Sequence, residues 1–150
     1  MNNVKVQYLD PRLGKEFPMP QYSTPGSAGL DLIACHDSVL TLKPNQVELI
    51  PSGIAIHIDN PCYAACILPR SGLGHKQGLI LGNSLGLIDS DYQGMIQISC
   101  WNRSNTNITV TPGTRIAQLM FIQVAQPQLT PVDNFDLTER ANNGFGSTGV

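Results

Sequence analysis

Basic residues are too few and too scattered in this chain to offer a nucleic-acid surface. Lysine and arginine number 9 against 11 acidic residues, a formal net charge of −2, whereas nucleic-acid binding needs a basic patch or stripe. No apolar run approaches the roughly 20 residues of a membrane span, and the opening MNNVKVQYLD lacks the apolar core of a signal peptide. The expectation is therefore a soluble, cytoplasmic protein with neither membrane nor nucleic acid as partner. Internal repeats and low-complexity tracts are absent as well, and 150 residues suit one domain with a real core.

Metal-ligand spacing is also missing. His36, His57 and His75 are scattered and form no ligand set with the cysteines. Cys62 and Cys66 fall on an expected strand, where period-two geometry sets them on one face roughly 13 Å apart, too far to chelate or bridge. With Cys35 and Cys100 they read as buried, reduced and structural.

Long helices have little room, because 14 glycines and 11 prolines interrupt the chain. What is there instead is a rhythm of short apolar or alternating runs, over 4–8, 30–34, 39–42, 47–50, 54–58, 63–68, 95–101 and 116–124. Such runs between turn signals predict an all-β fold, a sandwich or jelly-roll-like distorted barrel of short strands. Pro44-Asn45 reads as a tight turn between two runs. One short helix fits at 71–77, with Ser71 as its cap, although Gly72 and Gly74 weaken it.

The stretch 82–94, GNSLGLIDSDYQG, carries two carboxylates, a tyrosine and a side-chain amide in what reads as a hairpin between apolar strands. Gly82, Gly86 and Gly94 allow positive φ and close backbone approach. Asp89 follows the apolar pair Leu87-Ile88, so its carboxylate is expected to emerge from a strand end, with Asp91 on the same side. Two carboxylates held close would raise one pKa and poise it to take a proton. The same residues also suit an acidic turn and nothing more. The barrel is expected over 1–125, and the polar, glycine-rich tail over 126–150 as a flexible arm able to close over a site.

Five segments in order give the chain a family likeness: Ala28-Gly29-Leu30-Asp31-Leu32, Pro69-Arg70-Ser71-Gly72-Leu73-Gly74, the stretch 82–94, Arg115-Ile116-Ala117-Gln118-Leu119, and the arm over 140–149 with Gly-Phe-Gly-Ser-Thr-Gly. Together they resemble the trimeric dUTPases, bacterial members above all. The resemblance implies hydrolysis of dUTP to dUMP and pyrophosphate by water attack at the α-phosphorus, limiting uracil in DNA and supplying dUMP for thymidylate. It implies Asp89 as the base that activates water, with Arg70 and Ser71 also catalytic. Uracil and deoxyribose would be bound by Asn83, Gly86, Leu87, Ile88, Tyr92, Met95 and Phe145, with Tyr92 excluding a 2′-hydroxyl. The phosphates would meet Arg70, Ser71, Gly72, Gln118, Arg140, Gly146, Ser147 and Thr148. Mg²⁺ would ride on the triphosphate, reached by Asp31 through water. A homotrimer is implied, each site shared between subunits. Two alternatives stay open: a dCTP deaminase, alone or bifunctional, and a non-catalytic module that senses dUTP. The family glycine after the arm's arginine is replaced here by Ala141.

Overall fold

The computed structural model describes residues 3–136 and 138. Among them, ten strands and one short helix follow as β1 (Lys5–Tyr8), β2 (Gly29–Ile33), β3 (Leu40–Leu42), β4 (Val47–His57), β5 (Tyr63–Pro69), α1 (Ser71–Lys76), β6 (Leu79–Leu81), β7 (Gly86–Ile88), β8 (Met95–Asn102), β9 (Ile108–Val110) and β10 (Arg115–Gln123). One sheet runs β1-β4-β8-β6, a second β2-β10-β5-β7, and β3 pairs with β9 in a ribbon. Every pairing between these strands is antiparallel. The fold is all-β and jelly-roll-like. No helix among the described residues is long and apolar enough to cross a membrane.

Both sheets feed one core. Along β8 burial alternates, so Ile96, Ile98, Cys100 and Asn102 point inward, as period two requires of a strand covered on one face. They meet Leu32 and Ile33 of β2, Ile67 of β5, and Ala117 and Leu119 of β10 in a single cluster, each large aliphatic worth about 1.5–3 kcal/mol on full burial. Asn102 is the polar exception, fully buried yet satisfied. Its amide donates to Leu42 O at 2.9 Å and Thr106 O at 2.7 Å, and its Oδ1 accepts from Ser104 N and Oγ. It thereby ties β3 to β8, and a nonpolar residue there would take this partner from Leu42 O and Ser104 N, while Ser104 Oγ and Thr106 O keep each other.

The two runs 47–50 and 54–58 are one strand, β4, through Pro51-Ser52-Gly53. Its register shifts between Pro51 and Ala55, and Gly53 takes a φ of 72°. Proline is tolerated because β1 covers only residues 54–57 of β4, leaving the missing N–H at Pro51 without a strand to bond. The Pro44-Asn45 turn is present: Gln46 N donates to Lys43 O, and Asn45 supplies the positive φ of 63°. Ser71 opens α1 rather than capping it, the cap position falling on Arg70 without a side-chain bond.

Three of the cysteines are buried, but Cys62 lies in the turn before β5 and is exposed, which corrects the expectation of four buried thiols. Burial pushes the Cys35 thiol up to about 11 and that of Cys100 to about 12.

Candidate functional site

Register places the first half of the site. Gln118 of β10 lies opposite Asp31 of β2 on one side and Leu68 of β5 on the other. Its amide donates to Pro69 O at 3.0 Å, which fixes the end of β5 where Arg70 begins the turn into α1. Arg70 Nε reaches Asp31 Oδ1 at 2.9 Å, Arg115 Nε lies 3.5 Å from Oδ2, and Arg70 also donates to Arg115 O at 3.4 Å. The half-buried Asp31 thus holds two guanidiniums in place. Asp31, Arg70, Ser71, Gly72 and Gln118 line one open cavity of about 400 Å³. A cavity with this donor set suits an anion with several oxygens.

Ser23, Ser27, Ala28 and Gly29 line the same cavity; Ala28 and Gly29 stand in the first of the five segments without a role there, and Ser23 and Ser27 lie ahead of it. The signal available was their position just before Asp31. Thr24 and Ser27 bond each other through backbone and hydroxyl groups, so this rim is a closed turn.

The second half is the stretch 82–94, which is not a simple hairpin. It leaves β6 in one sheet, adds β7 to the other, and returns as β8. None of its glycines has a positive φ; the left-handed residue is Ser84, at 62°. Gly86 and Gly94 are needed for close approach instead. A Cβ on Gly86 would sit 3.0 Å from Ile67 Cβ, and one on Gly94 would sit 2.5 Å from the Tyr92 hydroxyl. That hydroxyl donates to Met95 O at 3.1 Å, so the half-exposed ring is folded back on its own loop.

Asn83, Leu87, Asp89 and Tyr92 are exposed, Ile88 and Met95 half-buried, and Gly86 buried. Asp89 follows β7 directly, while Asp91 lies in the next turn, so strand alternation does not put the two on a common side. Both line a depression of about 700 Å³ with His57, Asp59 and Tyr63.

The two halves lie at opposite ends of β5. Ile88 pairs with Ala65, which puts Asp89 beside Ala64, six residues from Arg70 and so roughly 20 Å away at strand rise. Among the described residues none lines both cavities. The expected arm residues Arg140, Phe145, Gly146, Ser147 and Thr148 lie outside the described residues.

No group of three or more His, Cys, Asp or Glu side chains among the described residues could hold a metal. Both Asp31 oxygens are engaged by guanidiniums, so a magnesium ion arriving on phosphates would meet this carboxylate only through its waters.

A jelly-roll-like fold carrying a polar cavity with Arg70 at one end of β5 and an acidic loop at the other defines the class, and sequence comparison defines the family. The dUTPase family model matches residues 15–149, and the chain belongs to the dUTPase family. It is 57% identical over 149 residues to the deoxyuridine 5'-triphosphate nucleotidohydrolase of Tolumonas auensis, covering 99% of each chain. With that of Shewanella denitrificans it shares 58% over 147 residues, covering 98% of this chain and 97% of the relative. Among solved structures it is similar to the G164S dUTPase of Staphylococcus bacteriophage 80alpha with dUpNHpp, at a TM-score of 0.84 and 26% identity over the whole of both chains.

Proposed function

We propose that the chain hydrolyses dUTP to dUMP and pyrophosphate, at sites that join the Arg70 cavity of one subunit to the Asp89 loop of another. The separation of these halves along β5 carries the reading. Groups roughly 20 Å apart cannot act on one triphosphate within a chain, whereas a symmetric oligomer brings each half to a neighbour's complement. A homotrimer satisfies this, with 126–150 as an arm that crosses to a third site.

Uracil is read at the 82–94 stretch by Asn83 and by backbone groups near Gly86, Leu87 and Ile88. Cytosine leaves those groups unpaired and is rejected. Tyr92, with Met95 behind it, packs on the deoxyribose and leaves no space for a 2′-hydroxyl. Arg70, Ser71, Gly72 and Gln118 bind the phosphates, and Arg70 and Ser71 oppose the charge that grows as the α-phosphorus is attacked. Asp89 takes a proton from the attacking water, which requires it within hydrogen-bond reach of that water. Phe145 covers the base, while Arg140, Gly146, Ser147 and Thr148 close on the phosphates and exclude solvent. Mg²⁺ bound to the triphosphate neutralises phosphate charge, with Asp31 holding one of its waters. The reaction is cytoplasmic, keeps uracil out of DNA and supplies dUMP for thymidylate synthesis.

The test is product analysis with dUTP and dCTP. Stoichiometric dUMP and pyrophosphate from dUTP, without ammonia from dCTP, is the expected result. Ammonia release would make the protein a deaminase, and binding of dUTP without turnover would make it a sensor.

A further inference from the structure

The β4–β8 ladder ends at the pair Ala55 and Met95. Two residues beyond that pair stand His57, the last residue of β4, and Gln93 in the loop before β8, the positions that would face each other next in an antiparallel pair. Side chains join them instead: Gln93 Nε2 lies 3.3 Å from His57 Nε2. With the amide nitrogen as donor, the imidazole accepts at Nε2. A second tether lies three residues before Gln93, where Ser90 O accepts from Asp59 N–H at 3.0 Å. Asp59 holds a φ of 58°, a conformation aspartate adopts more readily than most residues. Lys5 and His57 flank its carboxylate at 2.6 and 3.8 Å.

The loop between these tethers is exposed from Asp91 to Gly94 and carries few internal bonds, chiefly Tyr92 N to Asp89 O at 3.3 Å. Such a segment sits at the low-stability end of a fold unless something pins it. Asp89 lies just before the Ser90 tether and Tyr92 just before Gln93, while His57 and Asp59 share the depression that Asp89 lines. We propose that His57, acting through Gln93 and aided by the Asp59–Ser90 bond, is a positioning residue that fixes Asp89 and Tyr92 for reaction. This rests on the roles given above to Asp89 and Tyr92.

The experiment is steady-state kinetics on dUTP with His57→Leu, His57→Gln, Gln93→Leu and the His57→Leu/Gln93→Leu pair, beside Asp89→Asn. Leucine fills the space and removes the acceptor, whereas glutamine restores an acceptor. Loss of one hydrogen bond in a preorganised loop predicts a kcat about tenfold lower for His57→Leu, with KM changed less and the melting temperature nearly unchanged. His57→Gln should recover most of the rate. The double variant should be no worse than either single one, because both cut the same link. Unchanged kcat in His57→Leu, additive losses, a matching collapse in melting temperature, or failure of glutamine to rescue would each overturn the proposal. Asp89→Asn separates the two levels: if it keeps turnover, the assignment of the base fails, and if only it loses turnover, the positioning role alone fails.

Discussion

Gly94→Ala should damage discrimination between sugars far more than it damages stability. The added Cβ would stand 2.5 Å from the Tyr92 hydroxyl and 2.7 Å from Cζ, which no side chain tolerates, so the ring or the loop must move. The ring yields, since Tyr92 is 42% exposed and is held by one hydrogen bond, to Met95 O. Alanine itself suits the backbone, because Gly94 is not among the residues with positive φ. The stability cost is then that bond, about 1 kcal/mol, which lowers the melting temperature by about 3 °C in a domain of this size. The functional cost is larger, because a displaced ring no longer closes the space beside the sugar's 2′ carbon. The ratio of kcat/KM for dUTP over UTP should fall at least about tenfold, in line with the loss of one steric or hydrogen-bonding discriminator. The assay pairs thermal denaturation with pyrophosphate release from both nucleotides. A lowered melting temperature with an unchanged ratio would refute Tyr92 as the sugar gate.

Other outcomes follow from the same geometry. The Arg12 guanidinium, bonded to Asp10 at 2.6 and 2.9 Å, holds that carboxyl below its ordinary value, helped by the Arg12 backbone N–H and opposed by burial. A lowered folded value means this stabilisation is present above the ordinary carboxylate pKa and is lost as pH falls through the folded one. Asp10→Asn should therefore lower the urea midpoint at neutral pH and lose less with acid than the parent; parallel acid profiles would contradict this. Native thiol labelling should be fast at Cys62 alone, since Cys35, Cys66 and Cys100 are buried and their thiols meet reagent only when the fold opens. Mass spectrometry that finds Cys35 or Cys100 modified first would disprove it.

The long strands were legible in the sequence because an apolar or alternating run survives over five or more residues, alternating in β8 and continuous in β5. Of the four strands that are three residues long, β3 alone was read, as the apolar run 39–42, whereas β6, β7 and β9 escaped, being too short for a period to show. Their extended backbone comes from the partners they meet, Trp101, Cys66 and Thr41 at their centres. Missing β7 made the 82–94 stretch look like a hairpin and its glycines look like turn formers. Only the fold reveals that Gly86 makes space for Ile67 and Gly94 for the folded-back ring of Tyr92. The break read at Pro51-Gly53 has the opposite cause, since a bulge carries β4 through residues that usually stop a strand. At the site, the segments around Asp31, Arg70 and Gln118 were legible and meet in one cavity. The distance from that cavity to Asp89 was not, because it depends on which end of β5 each loop adjoins.

The most direct test of a shared site is subunit complementation between Asp89→Asn and Arg70→Ala, refolded together after mixing. Each variant alone should be nearly inactive, and neither contains a complete pair of halves. In a random one-to-one mixture of a symmetric oligomer, about a quarter of the sites pair an intact Asp89 loop with an intact Arg70 cavity. Pyrophosphate release should recover to about that fraction of the parent rate. A mixture as inactive as its components, in material shown to have exchanged subunits, would place both halves in one chain and contradict it.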